Sequence, residues 1–318
     1  MILTACGAPG EATPDASTPD ASALQELLSK ARDAVRDADG LVVAAGAGMG
    51  VDSGLPDFRG PEGFWRAYPA YKKLGKSFEE MANPRWFAID PEVAWGFYGH
   101  RMMLYRRTTP HAGFGILKKW ADRMKHGAFV FTSNVDGQFQ KAGFAEERIL
   151  ECHGTLRMAQ CTHGCGVGIF SAAPFDVKVD PETFRAESPL PACPRCGSLA
   201  RPNVLMFGDF GWESGFADAQ QERLEEWLSR AVQQGAKLVI VEMGAGTGVP
   251  TVRHFSERTA RGLAAPLVRI NLREPHWGTW SAYSSAASAA SAVEAPHRHI
   301  GVPMGALAAL SAIDELLR

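Results

Sequence analysis

Short, uninterrupted apolar runs recur along this chain. The first, at 41–45, follows a predicted helix that begins at Ser22, where Ser22 and Gln25 form a capping box. Runs of this length and composition are typical of strands buried on both faces of a parallel sheet. Five further runs share the pattern; they lie at 129–131, 148–150, 238–241, 267–270 and 299–302.

Amphipathic segments alternate with these runs and predict helices that cover the sheet. They lie at 91–107, 111–126, 214–233, 250–262 and 304–317. The alternation predicts an α/β fold, a doubly wound, Rossmann-like parallel sheet with helices on both faces.

Two segments interrupt the alternation and divide the chain. Residues 61–107 are rich in aromatic residues and predict a helical insertion, whereas residues 157–200 contain close cysteine pairs and predict a small separate module. Residues 1–21 predict a disordered tail and residues 277–298, rich in Ser and Ala, a surface loop. The Rossmann-like domain then comprises three stretches, 22–60, 108–156 and 201–318.

Composition narrows the class of protein. The 318 residues are 46% hydrophobic and 21% charged, which is ordinary for a folded globular chain and excludes a fibrous one. A net charge of −2 gives no general attraction to nucleic acid, and no run of about 18 apolar residues predicts a membrane span. The segment 3–6 has the letters of a lipoprotein cleavage box, but no charged or long apolar stretch precedes it, so we expect a cytoplasmic protein.

A glycine-rich turn follows the first predicted strand. A strand that runs into Gly46-Ala47-Gly48 is typical of a dinucleotide site, because glycine lets backbone N–H groups approach a pyrophosphate. A tight structural turn would use the same residues, and the third glycine of the usual Rossmann spacing is absent, since Val51 occupies that position. The turn alone is therefore weak evidence.

The next segment, 53–59, is more specific and reads SGLPDFR. Together with the preceding Gly-Ala-Gly it resembles the sirtuin family, although Gly50 stands where the family usually has serine. The resemblance implies that this loop binds NAD, with Phe58 beside the nicotinamide and Arg59 near the phosphates. The cofactor-binding residues expected here are Gly46, Ala47, Gly48, Asp57, Phe58 and Arg59.

Polar residues end the next two strands. Asn134, Val135 and Asp136 fall within Thr-Ser-Asn-Val-Asp, which matches the sirtuin Thr-Gln-Asn-[Ile/Val]-Asp at four of five positions; Ser133 replaces the Gln. The resemblance implies that these three residues bind the nicotinamide ribose and carboxamide, and that Asn134 is also catalytic. His153, followed by glycine, matches the sirtuin general base, and imidazole can take a ribose hydroxyl proton near neutral pH.

Four cysteines form two close pairs. Cys161 and Cys165 are separated by three residues, and Cys193 and Cys196 by two. Pairs of thiolates at such spacing suit a closed, structural Zn²⁺ site, with His163 as an alternative ligand. Sirtuins carry such pairs just after the catalytic histidine, although the first spacing here is one residue longer than usual.

Further residues are expected to contact the substrate or the adenosine half of NAD by the same resemblance. The stretch 201–209 flanks the peptide cleft in that family and supplies Val204, Phe207 and Gly208. Gly244 and Asn271, which follow later strands, are expected to touch adenosine. Tyr98 and Arg101, three apart on one helix face, and a small Ala70 resemble the subset that removes succinyl, malonyl or glutaryl groups. The alternative is that Arg101 pairs with a neighbour on its own helix.

These patterns predict an NAD-dependent protein lysine deacylase, acting on acetyl and, as a hypothesis, succinyl or malonyl groups. The resemblance implies release of nicotinamide and O-acyl-ADP-ribose, with acylated-lysine proteins or peptides as partners. Two alternatives stay open from the sequence. One is an ADP-ribosyltransferase or NAD hydrolase on the same scaffold, because Gly50 and Ser133 both depart from the family in the cofactor pocket. The other is a non-catalytic NAD-binding module.

Overall fold

The structure is a computed structural model, and it describes residues 20–57, 75–277 and 298–318. The predicted tail, residues 58–74 and most of the Ser/Ala-rich segment lie outside these ranges. In chain order the elements are α1 (Ala21–Arg36), β1 (Gly40–Ala45), α2 (Phe78–Met81), α3 (Trp86–Ile89), α4 (Pro91–Arg107), α5 (Ala112–Arg123), β2 (Ala128–Thr132), α6 (Gln138–Lys141), β3 (Ile149–Glu151), β4 (Gly154–Cys161), β5 (Phe170–Ser171), β6 (Ala200–Val204), α7 (Gly215–Gln233), β7 (Leu238–Met243), α8 (Thr251–Leu263), β8 (Leu267–Ile270), β9 (His299–Val302) and α9 (Ala306–Leu316).

The start of α1 corrects one prediction. The helix begins at Ala21, and the carboxylate of Asp20 accepts a hydrogen bond from the backbone N–H of Ala23 at 2.7 Å. Asp20 is therefore the cap, not Ser22. Both residue types cap helices well, so the sequence pattern alone favours neither.

The predicted parallel sheet is confirmed. Six strands lie in the order β3-β2-β1-β7-β8-β9, and β1 pairs in parallel with both β2 and β7. Every residue of β1, β2 and β7 is buried, as uninterrupted apolar runs predict. Strand order reverses between β1 and β7, and the ends of two such neighbouring strands are where doubly wound folds bind ligands.

Helices cover both faces of this sheet, and each face has its own apolar core. On one face α1, α5 and α9 bury residues such as Trp120 and Leu310 against the sheet. On the other face α7 and α8 contribute Trp227 and Phe255, and the Phe255 ring stacks on Phe131 at 3.8 Å. The described residues contain no helix long and apolar enough to cross a membrane.

The helical insertion and the cysteine-containing segment pack together. β4, β5 and β6 form a three-stranded antiparallel sheet in the order β5-β4-β6. A third apolar core joins this sheet to α2, α3 and α4, and the indole N–H of Trp95 on α4 donates to the carbonyl of Ala200 at 2.9 Å. β6, which begins at the predicted boundary at residue 200, pairs with β4 in this sheet, and the division of the chain at that residue stays a prediction.

Candidate functional site

Loops from both halves of the main sheet meet at its carboxyl edge, where β1 and β7 lie side by side. A cleft of about 110 Å³ opens there. Its lining includes four residues predicted from sequence as cofactor-binding: Gly48, Asp57, Gly244 and Asn271. Arg273, which the sequence analysis did not identify, also lines the cleft.

Two glycines allow the loops after β1 and β7 to touch. A Cβ on Gly46 would lie 2.8 Å from the carbonyl oxygen of Gly244, and a Cβ on Gly244 would lie 2.4 Å from the backbone of Gly48. Gly244 also has a φ of 62°, in the left-handed region, and its carbonyl accepts the N–H of Gly48 at 3.0 Å. No side chain fits at Gly46 or Gly244, so backbone forms this part of the cleft wall.

The structure gives a physical context for Gly50, where serine is usual. Gly50 is buried, and a Cβ there would lie 3.1 Å from Cδ1 and 3.3 Å from Cβ of Leu55. A serine would therefore require Leu55 to shift by a few tenths of an ångström. At Gly50 the loop packs closely against Leu55, which leaves little room for the side chain of a serine.

Asn134 lies against the glycine turn. Its side-chain amide donates to the carbonyl of Gly46 at 3.0 Å, and its backbone N–H donates to the hydroxyl of Thr132, also at 3.0 Å. The Thr132 hydroxyl in turn donates to the carbonyl of Ala45 at 2.8 Å. Residues 88 positions apart are thus held together, and the Asn134 amide oxygen has no hydrogen bond to any described residue.

Asp136 and Val135 lie on the same loop. Burial raises the pKa of Asp136 to about 6, although the N–H of Gln138 and the positive charge of Arg101 oppose that rise. The N–H of Gln138 donates to the Asp136 carboxylate at 3.0 Å. Val135 is buried, and its carbonyl accepts the N–H of Leu156. Asp136 therefore titrates near physiological pH.

His153 follows β3 at the same edge of the sheet and is half-buried. Its Nε2 shares a hydrogen bond of 3.2 Å with the hydroxyl of Thr251, the first residue of α8. Burial lowers the pKa of His153 below its usual value, so the ring is neutral at neutral pH and can accept a proton. The neighbouring Cys152 has a pKa raised by burial to about 12 and is a protonated thiol.

Asn271 is braced inside the protein. Its amide N–H donates to the carbonyl of Ala245 at 2.8 Å, and its amide oxygen accepts the N–H groups of Arg273 and Glu274, each at 3.1 Å. Arg253 holds the same loop through the carbonyls of Glu274 and His276. Asn271 thus fixes the shape of the cleft wall that it lines.

Tyr98 and Arg101 lie on α4 among aromatic rings. The Arg101 guanidinium lies 5.6 Å from the centre of the Phe78 ring and 5.2 Å from that of Phe97, and its Nε donates to the hydroxyl of Tyr105 at 3.1 Å. Arg101 is only 7% exposed and Tyr98 only 1%. Burial raises the pKa of Tyr98, which therefore stays a neutral phenol.

The segment after β6 lies beside His153. Val204 pairs with Gly154, the residue after His153, and the N–H of Leu205 donates to the His153 carbonyl at 3.0 Å. Phe207 is 38% exposed and Gly208, with a φ of 66°, is exposed.

Asp209 sets the shape of that segment. Its carboxylate forms a buried ion pair with Arg201 and accepts the N–H groups of Met206 and Gly211. Both oxygens of the Asp209 carboxylate therefore accept hydrogen bonds inside the protein.

The four predicted metal ligands converge. The thiol sulfurs of Cys161, Cys165, Cys193 and Cys196 all lie within 4.8 Å of one another. Two sulfur pairs, Cys161 with Cys196 and Cys165 with Cys193, are 3.6 Å apart. Zn–S bonds of about 2.3 Å place the sulfurs of a tetrahedral site roughly 3.8 Å apart, so this group fits a structural zinc ion. His163 is not in the group; its N–H donates to the Cys161 sulfur.

Three predicted site residues, Phe58, Arg59 and Ala70, lie outside the described residues. The predicted cofactor-binding and catalytic residues that the structure describes, among them Gly46, Asn134, His153 and Asn271, lie at the carboxyl edge of the sheet. Thr251 and Arg273 are the residues that sequence reasoning missed. A threonine at the start of a predicted helix is ordinary there, and only the fold brings it to His153.

Comparisons with known proteins agree with this arrangement. A family model described as the Sir2 family matches residues 46–227. The chain is 32% identical over 249 residues to the NAD-dependent protein deacylase of Thermus thermophilus, covering 77% of this chain and 84% of that one. It is 36% identical over 172 residues to NAD-dependent protein deacylase 1 of Archaeoglobus fulgidus, covering 53% of this chain. The chain spans about 60% of the length of that second relative.

Solved structures show the same fold. A Sir2 homologue in complex with NAD is 25% identical, with a TM-score of 0.58 over 91% of this chain and 95% of that one. A mutant Sir2 homologue in complex with 2'-O-acetyl ADP ribose is also 25% identical, with a TM-score of 0.60 over 91% of this chain and 96% of that one.

Proposed function

Because the chain belongs to the Sir2 family, we propose that it is an NAD-dependent protein lysine deacylase. Its partners are proteins or peptides that carry acylated lysine, and we propose that it acts in the cytoplasm. The proposal rests above all on one juxtaposition: Asn134 and a neutral His153 end neighbouring strands beside the backbone contact of Gly46 with Gly244.

NAD, when bound, supplies an activated C1′ that accepts the acyl oxygen as nicotinamide leaves, in keeping with the family. The residues of this chain then have distinct tasks. Backbone of the Gly46–Gly48 turn would face the pyrophosphate, because a Cβ at Gly46 would collide with the backbone of Gly244 and Ala245. The Asn134 amide, fixed by Gly46, presents its oxygen toward the nicotinamide ribose.

His153 is proposed as the general base. It would take a proton from a ribose hydroxyl, whose oxygen then bonds to the acyl carbon. The bond from that carbon to the lysine nitrogen breaks and frees the amine, water adds to the acyl carbon, and the bond to the former amide oxygen breaks, which leaves the acyl group on the ribose of ADP-ribose. Thr251 orients the imidazole through its hydrogen bond at 3.2 Å. The lowered pKa keeps the ring in the form that accepts a proton.

The peptide is proposed to lie along the segment from Val204, the last residue of β6, to Phe207 and Gly208, because Leu205 in this segment donates to the His153 carbonyl. Phe207 is exposed, and its N–H donates to Ala82 of the helical insertion at 2.9 Å. The substrate lysine would thus enter between the insertion and the main sheet.

For acyl choice, we propose that Arg101 and Tyr98 favour a terminal carboxylate on the acyl group. The support is that Arg101 is a buried, permanently charged cation. Its charge lowers the pKa of Asp136, so Arg101 lies close enough to the cofactor site to interact electrostatically with it. A buried guanidinium gains most from an anion in the same low-dielectric space.

Cys161, Cys165, Cys193 and Cys196 would hold a structural zinc ion that stabilises the cysteine-containing module.

The test is product identification after incubation with NAD and acetyl-, succinyl- and malonyl-lysine peptides. The proposal expects nicotinamide, free lysine peptide and O-acyl-ADP-ribose. Free ADP-ribose without peptide turnover would indicate an NAD hydrolase, and ADP-ribose attached to protein an ADP-ribosyltransferase. Either result would replace the deacylase assignment.

A further inference from the structure

A second cavity, of about 240 Å³, lies at the opposite, amino edge of the main sheet. Phe129, the second residue of β2, forms part of its floor together with Trp227 of α7. The charged lining residues are Glu147, Arg148, Arg223, Glu226 and Arg230. We call this cavity the arginine pocket. Among the described residues, none lines both this pocket and the cleft at the carboxyl edge.

Two of the arginines have buried N–H groups with nothing to bind. Nη1 of Arg148 and Nε of Arg223 are shielded from solvent and have no hydrogen-bond partner among residues 20–57, 75–277 and 298–318. Leaving a buried donor unpaired costs about 1–3 kcal/mol, and more for a charged group. An acceptor inside the pocket would remove that cost.

The described acids of the pocket form no direct ion pair with its arginines. Within the described part of the chain, no carboxylate lies within 4.0 Å of the guanidinium groups of Arg148, Arg223 or Arg230. Glu147 and Glu226 are exposed at the rim, where water screens their charges. Burial lowers the pKa of Arg148, the positive charge of Arg230 lowers it further, and the negative charge of Glu147 partly opposes both.

The floor holds Arg148 in place. The Trp227 indole N–H donates to the carbonyl of His126 at 3.0 Å, which fixes the ring, and the Arg148 guanidinium lies 6.0 Å from the ring centre. The Arg148 guanidinium is therefore held against a fixed aromatic ring, which lowers the entropic cost of capturing a ligand.

We propose that the arginine pocket binds a small oxyanion with two or more negative charges. Planar guanidinium groups bind phosphate and carboxylate groups through paired hydrogen bonds, so both chemistries suit the site. The cavity exceeds the size of a single phosphate, and the ligand classes that fit are a diphosphate and a short dicarboxylate.

The probes are inorganic pyrophosphate and succinate, titrated calorimetrically into the intact protein at about 0.15 M ionic strength. The same titrations into the pocket variants described below separate this site from the carboxyl-edge cleft, whose described lining includes none of these arginines. We expect saturable binding of at least one probe, and the preferred probe distinguishes a phosphate ligand from a carboxylate ligand. Absence of binding by both probes overturns the proposal.

Two variants locate the site. Arg148→Gln and Arg223→Gln should each weaken binding at least tenfold. Arg258→Gln removes the same charge from an exposed position on α8 and should leave binding within about twofold, since a screened surface charge contributes little. Equal losses in all three variants would show a general charge effect and refute the site. Thermal melting of each variant shows whether it is folded, and either of the two pocket variants suffices.

Discussion

Gly96 on α4, in the helical insertion, packs directly against the backbone of the cysteine-containing module. A Cβ at Gly96 would lie 1.8 Å from the carbonyl oxygen of Phe184 and 3.1 Å from Cα of Arg185. That carbonyl would have to withdraw by roughly 1.6 Å to reach an ordinary contact of 3.4 Å. Gly96→Ala therefore tests whether the two segments form one packed unit.

The segment around Phe184 cannot withdraw freely. Phe184 itself has a φ of 53°, and Arg185 bonds to the carboxylates of Asp90 and Glu92 at the start of the same helix. Overpacking of this kind costs about 1–3 kcal/mol, and contact with backbone places it toward the upper end. The helix propensity of alanine returns about 1 kcal/mol. We expect a net loss of about 1–2 kcal/mol.

Gly115, in the interior of α5, is a matched control. A Cβ there would meet no atom within 4 Å, so Gly115→Ala should stabilise the protein by about 0.5–1 kcal/mol. Urea-induced unfolding, followed by circular dichroism, compares both variants with the parent. The reasoning is refuted if Gly96→Ala stabilises the protein as much as Gly115→Ala does.

The remaining predictions concern metal, base and acyl choice. Cys193→Ser should lose the zinc, about one ion per chain by mass spectrometry, and unfold the module, whereas Cys152→Ser should keep it; a metal-free, fully folded parent would contradict this. His153→Ala should lower turnover by at least ~10² while NAD binding, measured calorimetrically, stays nearly intact. Since burial lowers the pKa of His153, turnover of the unchanged protein should stay constant as the pH is lowered to about 6.5 and fall only below that pH. Turnover that already falls between pH 7.5 and about 6.5 would contradict this. Arg101→Met should cut succinyl-peptide turnover by roughly 10² or more, since an unpaired partner costs about 2–5 kcal/mol, and leave acetyl turnover little changed. An equal loss for both peptides would make Arg101 a packing residue.

Local patterns predicted the main sheet because its strands are buried on both faces. The apolar runs at 41–45 and 238–241 lie within β1 and β7, and the strand ends place Asn134 and His153 at one edge. The cysteine pairs were predictable for a similar reason, since each pair is local in sequence and only the meeting of the two pairs depends on the fold.

Other features depend on contacts between residues far apart in the chain. Thr251 reaches His153 across 98 positions, and Gly96 meets Phe184 only because the insertion packs on the module. The cap of α1 was wrong for a different reason, since Asp20 and Ser22 offer similar side-chain acceptors two residues apart. The local sequence does not show whether Asp20 or Ser22 caps α1.

The central claim is that this chain transfers an acyl group from lysine to ADP-ribose. The most direct measurement uses a peptide with a ¹³C-labelled acetyl-lysine, NAD and the purified protein, with products followed by mass spectrometry over time. The account predicts that labelled O-acetyl-ADP-ribose, nicotinamide and free lysine peptide appear in equal amounts, and that His153→Ala lowers the steady rate of all three by at least ~10². Label released only as free acetate from the start, or NAD consumed without loss of the acetyl-lysine, would contradict it.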